Sequence, residues 1–180
     1  MQIKTVENVL HIPINHYFSI DMDAMKDLGD AVGGVTVDNA FAFDAEGIHY
    51  PKGKQHLGGW EALQYARMRY EDPEGDYGRQ RRQREVLIEL TNKLLSFNSL
   101  LKYQEILDVI GEHGETDLSF DQMMAMLKKY TPALKTIETD QLKGYDYTGD
   151  GVTGIEGISY QLVEESERQR VENAIKEQMN

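Results

Sequence analysis

Six of the chain's eight arginines fall between Arg67 and Arg84, in the run Arg67-Met-Arg69-Tyr-Glu-Asp-Pro-Glu-Gly-Asp76-Tyr-Gly-Arg79-Gln-Arg81-Arg82-Gln83-Arg84. The planar guanidinium presents a rigid fork of donors that matches phosphate or carboxylate bidentately, which the point charge of lysine does not. No lysine lies in the segment. Six arginines against Glu71, Asp72, Glu74 and Asp76 give it +2, so the net charge of -12 leaves -14 for the rest of the chain. A local, all-arginine patch in an acidic protein points to a small anionic ligand held with defined geometry.

A long helix from about Tyr77 to Phe97 would carry the second half of this cluster. Leu87, Leu90 and Leu94 form one stripe along it, and the same stripe extends back through Gln83 and Arg79. Arg82 lies at the edge of that stripe, whereas Arg81 and Arg84 point away from it, toward solvent. A buried arginine without a partner is costly, so either acidic residues or a ligand must meet it. The helix N-terminus adds partial positive charge and free N–H groups, both favourable to an anion. Arg67 and Arg69 follow a second helix, Gly59 to Ala66, built on Trp60, Ala62, Leu63 and Ala66. In extended backbone their side chains share a face. Arg67, Arg69, Arg79 and Gln83 would then line one concave site. The same arginines can equally be surface charges paired with Glu71, Asp72, Glu74 and Asp76.

The surrounding elements alternate in type. A short helix is expected over Thr5–Leu10 with Thr5 as N-cap, then a strand over His16–Met22. An amphipathic helix over Asp23–Val32 ends at Gly33-Gly34, and Val35–Val37 resumes as a strand. Asn39 to Gly59 is rich in turns, with a short hairpin around Glu46-Gly47. Leu100–Ile110 reads as a helix. Ser119 and Gln122 have capping-box spacing for a helix that runs to about Tyr130 and stops before Pro132. Ile137–Leu142 and Ile158–Val163 are strand candidates around a glycine-rich turn, and Glu164–Met179 is a closing charged helix. Interleaved helices and strands argue for an α/β fold with helices on both sides of a sheet.

The 180 residues suffice for one domain with a core. A net charge of -12 argues against broad nucleic-acid binding, which depends on neutralising many phosphates. There is no cysteine, hence no disulfide or thiolate chemistry. The first residues lack the basic and apolar regions of a signal peptide, and no apolar run of membrane-spanning length occurs. The five histidines show no metal-ligand spacing, so no zinc site is expected. Asp146-x-Thr148-x-Asp150-Gly151 opens like a calcium loop, but the twelfth position is Gly157, and a polar turn is the better reading. Met123, Met124 and Met126 read as core packing. Trp60 and Tyr65 flank the arginines, either lining a sugar or lipid path or packing beneath the site.

The segment His56-Leu-Gly-Gly-Trp-Glu-Ala-Leu-Gln-Tyr-Ala-Arg67-Met-Arg69, followed by Asp76-Tyr-Gly-Arg79-Gln-Arg-Arg82-Gln83, resembles the signature of the LytR-CpsA-Psr family. Thr5-Val-Glu-Asn8 and Ala31-Val-Gly-Gly-Val35 are similar to that family's central region, and the likeness runs in register from about residue 5 to 97. It implies an extracytoplasmic phosphotransferase, anchored by an N-terminal transmembrane helix on the extracellular face of a Gram-positive membrane. Such enzymes move teichoic acid, capsule or similar glycopolymers from an undecaprenyl-pyrophosphate carrier to peptidoglycan. Arg67, Arg69, Arg79 and Gln83 match the family's catalytic phosphate-binding positions, with Arg82 and Asp76 as substrate-binding support through a local ion pair.

The resemblance further implies that the earlier half of the family domain, with its magnesium-binding aspartates, is absent. The chain is therefore expected to be a single-domain fragment over residues 1–180. Its fold would be a mixed central sheet sandwiched by helices (α-β-α), incomplete for want of the N-terminal part. It would bind no metal itself, be inactive alone, and expose an edge able to drive self-association. Two other functions fit the same residues: a non-catalytic binder of polyprenyl phosphate or anionic polymer, and a cell-envelope transcriptional attenuator.

Overall fold

The computed structural model describes residues 2–96, 108–109, 111–130, 137–149, 154 and 157–179. They fall into two compact units, one formed by Met1–Tyr17 with Glu138–Asn180, the other by Phe18–Ile137. The expectation of one mixed central sheet is met at the level of class. The chain is mixed α/β, and its strands pair as four short two-stranded antiparallel ladders among the described residues.

The Phe18–Ile137 unit carries the arginine cluster. It opens with strand β1 (Phe18–Ile20), which pairs with β6 (Gly114–Thr116). The expected strand His16–Met22 is cut short because the Asp21 carboxylate accepts from the Ala24 N–H at 2.8 Å and caps helix α2 (Met22–Ala31). Gly33 and Gly34, at φ 75° and 86°, end α2 in the left-handed region as their positions suggested. Strand β2 (Val35–Asn39) follows, with Val35, Val37 and Asn39 buried and the residues between them exposed.

The turn-rich stretch holds three strands. β3 (Phe43–Ala45) and β4 (Ile48–Tyr50) form the expected hairpin, with Glu46 at φ 51° and Gly47 at φ 78° in its two-residue turn. β5 (Gly53–Leu57) returns antiparallel to β2 in the register Val35↔Leu57.

Helix α3 (Gly59–Arg67) then packs on α2 so closely that a Cβ on Gly59 would lie 1.9 Å from the Lys26 carbonyl oxygen. The approach is fixed by Asp30, whose Oδ1 accepts from the Gly59 N–H at 2.7 Å. The Glu61 carboxylate caps the start of α3 by accepting from the Gly58 N–H at 2.8 Å. Helix α4 (Asp76–Ser96) lies against α3 and β2. Phe43, Tyr50 and Tyr65 stack at the centre of the core, with centroids 4.8–5.9 Å apart, among Leu28, Val35, Val37, Leu57, Leu63, Ala66, Val86 and Leu90.

Helix α5 (Phe120–Tyr130) begins with the anticipated capping box. Ser119 Oγ accepts from the Gln122 N–H at 3.3 Å and Gln122 Oε1 from the Ser119 N–H at 2.8 Å. Met126 is 42% exposed, which corrects its assignment to the core. The anticipated helix Leu100–Ile110 lies largely outside the described residues, as does Pro132.

In the other unit, helix α1 (Gln2–Leu10) starts ahead of Thr5, which is therefore an interior residue rather than its cap. Strand β7 is Tyr145–Gly149, not Ile137–Leu142, and pairs with β8 (Ile158–Leu162). Asp146 and Thr148 of the expected polar turn sit in β7, whereas Asp150 and Gly151 lie outside the described residues. Helix α6 (Glu165–Met179) closes the chain and packs on α1.

Candidate functional site

The arginines meet where α3 hands over to α4. Met68 ends α3 at φ −56°, ψ 134°, so the backbone leaves the helix extended. That geometry sets Arg67 and Arg69 together along one cleft of about 310 Å³. Gln64, Met68, Tyr70 and Glu71 share the α3 side of the cleft, and Asp44, Ala45 and Glu46 of the β3–β4 hairpin form its opposite wall.

Between the helices the loop turns on Asp72. Its backbone carbonyl accepts from the Gly75 N–H at 2.9 Å, and its Oδ1 accepts from the Glu74 N–H at 2.7 Å. The side chain is fully buried and pairs with Arg82. Arg82 spends every arm of its guanidinium inside the protein. Nε donates to the Tyr65 carbonyl at 3.0 Å, Nη1 to Asp72 and Nη2 to the Met68 carbonyl, and the group lies 5.6 Å from the Phe43 ring centroid and 5.9 Å from that of Tyr65. The expected supporting ion pair is thus Arg82–Asp72, not Arg82–Asp76. Arg82 faces the core and does not line the cleft.

The reason lies in the register of α4. The buried line runs Gly78, Arg82, Val86, Leu90 at four-residue spacing, and Leu87 is 41% exposed. The stripe read through Leu87, Leu90 and Leu94 is rotated by one residue, so Gln83 and Arg79 are only half-buried. Gly78 belongs to the line because a Cβ there would stand 1.8 Å from Asp72 Oδ2.

Asp76 instead serves the outer arginines. Its Oδ1 lies 2.6 Å from Arg79 Nη2 and 3.5 Å from Arg69 Nε, and its Oδ2 accepts from Gln80 Nε2 at 3.0 Å. One carboxylate thereby links the two halves of the cluster. Arg79 Nε is buried and has no hydrogen-bond partner. Arg67 and Gln83 make no ion pair or hydrogen bond through their side chains among the described residues, and Gln83 does not line the cleft. Arg81 pairs with Glu74 on the surface. Of the two flanking aromatics, Trp60 is 51% exposed, while Tyr65 is buried and donates its hydroxyl to Glu85 Oε2 at 3.0 Å.

Sequence reasoning missed Glu85, which also accepts from the Asp38 N–H at 2.7 Å and so ties α4 to β2. No signal beyond its place next to the buried line marks it. Among the described residues no three His, Asp or Glu side chains are grouped to hold a metal ion, so no magnesium ligand can be assigned here.

A mixed α/β unit with an arginine-bearing loop between two packed helices is the class these features define. The LytR_cpsA_psr family model matches residues 1–177, and the chain belongs to that family. It is 47% identical, over all 180 residues, to the polyisoprenyl-teichoic acid–peptidoglycan teichoic acid transferase TagU of Enterococcus faecalis. The chain spans 57% of that relative and 56% of the matching Bacillus anthracis TagU, a little over half the length of these curated relatives. The crystal structure of an E. faecalis protein named a transcriptional regulator matches with a TM-score of 0.84 and 45% identity, covering 98% of this chain and 63% of that one. TagT bound to LIIa-WTA matches with a TM-score of 0.74 and 25% identity, covering 97% of this chain and 64% of that one.

Proposed function

We propose that this chain supplies the arginine-rich phosphate-binding part of a phosphotransferase that attaches a cell-wall glycopolymer to peptidoglycan, from an undecaprenyl-pyrophosphate carrier, on the extracellular face of the membrane. Arg67 and Arg69 in the cleft bind phosphate oxygens, Arg79 joins them through Asp76, and Arg82 and Asp76 hold the loop. One observation carries the reading: at the helix junction Arg69 and Arg79 share a single carboxylate, Asp76, and Arg67 beside them has no ion pair among the described residues. These guanidinium groups lie in a chain that is similar over its whole length to a relative named as a teichoic acid transferase. Phosphoryl transfer is mainly positioning and neutralisation of charge spread over oxygens, which such a cluster provides.

Calorimetric titration with a short-chain polyprenyl pyrophosphate tests the reading. Arg69→Ala and Arg79→Ala should each weaken binding by tenfold to a few hundredfold, the scale of a lost charged hydrogen bond of about 1.5–3 kcal/mol. Arg79→Lys should recover little, because the bidentate fork is gone. Wild-type affinity in both alanine variants would sink the site. Turnover is assayed in this chain and in a longer one with magnesium, lipid-linked donor and peptidoglycan. Binding without turnover there would favour a non-catalytic binder of polyprenyl phosphate or anionic polymer.

The name carried by the E. faecalis structure favours a regulatory role instead, against which stands the net charge of -12. Retention of duplex DNA on a filter at low salt would revive it. Self-association through an exposed edge belongs to the same proposal, and sedimentation across a concentration series that shows only monomer would remove it.

A further inference from the structure

The floor of the cleft holds a polar group with nothing to do in the free protein. Gln64 lines the cleft, is 4% exposed, and its Nε2 has no hydrogen-bond partner. A buried amide left unpaired is a rare and costly feature, which protein interiors normally eliminate. Nothing in the packing demands an amide at this position, because a Met or Leu side chain fills a similar volume without the desolvation penalty.

Gln64 also stands three residues before Arg67 on α3, so the two side chains neighbour each other on one helix face, and Arg69 joins them along the same cleft. The three carboxylates of the cleft, Asp44, Glu46 and Glu71, are exposed, as Arg67 and Arg69 are, and Asp44 is already engaged by His49 at 2.9 Å. Two guanidinium groups thus stand beside the Gln64 amide in the lining of the cleft. A half-turn of the amide about its terminal torsion exchanges nitrogen and oxygen within the same volume, which turns the NH2 group toward the cleft and leaves Oε1 in the buried position.

We infer that Gln64 is a binding residue, a third donor that meets a phosphate oxygen held by Arg67 and Arg69. The inference rests on the phosphate-binding reading above and adds to it a residue outside the arginine motif. It gives the unpaired amide a partner that exists only in the complex. Stability and affinity should then move in opposite directions on substitution, which a packing role would not produce.

The test is titration of this chain with inorganic pyrophosphate and, in parallel, with farnesyl pyrophosphate, using the wild type, Gln64→Met and Arg69→Ala. Gln64→Met should bind both probes about ten- to a hundredfold more weakly, as expected for one hydrogen bond to a charged acceptor. Its thermal midpoint should be unchanged or up to about 4 °C higher, since an unsatisfied polar group has been removed. A midpoint lowered by several degrees would make the amide structural and overturn the inference. So would a loss confined to farnesyl pyrophosphate, which would place the contact on the hydrocarbon.

Wild-type affinity in Gln64→Met with loss in Arg69→Ala would reject Gln64 and leave the phosphate site standing. Unchanged affinity in both variants, or no binding by the wild type, would reject the phosphate site and the inference with it. The side-chain amide resonance of Gln64 in the ¹⁵N-labelled wild type supplies a readout that needs no variant. It should shift on adding pyrophosphate, and a stationary resonance at saturation counts against the inference.

Discussion

Arg82 shows how little an arginine's presence in a basic motif says about its task. It has the same sequence neighbourhood as Arg79 and Arg81, yet it is 2% exposed and paired with a fully buried carboxylate. Replacing it with Met should cost about 3–5 kcal/mol, because Asp72 is left as an uncompensated buried charge. Urea denaturation checks this, and a double variant that also carries Asp72→Asn should recover part of the loss, as partners in one pair do. A penalty below about 1 kcal/mol would mean that the pair does not hold the loop. The demand that a buried arginine find a carboxylate or a ligand was legible from composition and periodicity. Which arginine would be buried was not. Three leucines at 87, 90 and 94 outweigh one valine at 86 in any hydrophobic pattern, and only the folded core, in which Val86 is fully buried, reveals that it points inward.

The junction between α3 and α4 is built from glycine as much as from charge. Gly78 leaves room for the Asp72 carboxylate, and Gly78→Ala would put a methyl group 1.8 Å from Asp72 Oδ2. The loop must then move, carrying Asp76 and the Arg69–Arg79 link with it. We expect Gly78→Ala to lower the thermal midpoint and weaken pyrophosphate binding together, with helix content by circular dichroism nearly unchanged. Full binding in a chain of normal midpoint would show that Asp72 has another place to go. Helices were legible at this scale because their apolar spacing and caps are local. The capping box at Ser119 and Gln122 and the glycine pair after α2 stand where expected. Strand β5 was not legible. Gly53-Lys-Gln-His-Leu57 has no β-branched residue, and it is held as a strand by its ladder with Val35–Asn39, a tertiary cause. Strand β7 escaped for a related reason. Its five residues, Tyr-Asp-Tyr-Thr-Gly, sit among the polar and glycine residues that read as a turn, and all of them up to Thr148 are exposed.

At the scale of the whole molecule, charge is divided by region. The helix α6 carries a network in which Arg168 and Lys176 share Glu172, Arg168 also holds Glu165, and Arg170 bridges Glu167 and Asp140. Hydrogen bonds from these cations hold Asp140, Glu165, Glu167 and Glu172 down to about 2, below ordinary values of 3.8 and 4.5. A carboxylate whose folded value is depressed stabilises the fold above its unfolded value and loses that contribution as pH falls through the folded one. The Met1–Tyr17 and Glu138–Asn180 unit should therefore weaken between about pH 4.5 and pH 2, with the effect reduced by salt because these groups are at the surface. Hydrogen exchange along α6, followed from pH 5 to pH 2.5 with and without salt, checks this. Protection that does not change with pH would mean that the network is decorative.

The division of the cleft between two kinds of scaffold has a consequence for how its selectivity can change. One wall is the end of α3, locked by Arg82 and the aromatic core. The other is the tip of a hairpin whose two-residue turn, Glu46-Gly47, carries no core side chain. Lengthening or rewriting that tip should alter what fits opposite Arg67 and Arg69 while leaving the end of α3 as it is. Under the proposed phosphate-binding reading, hold on the ligand and fit around it would rest on separate parts of the fold.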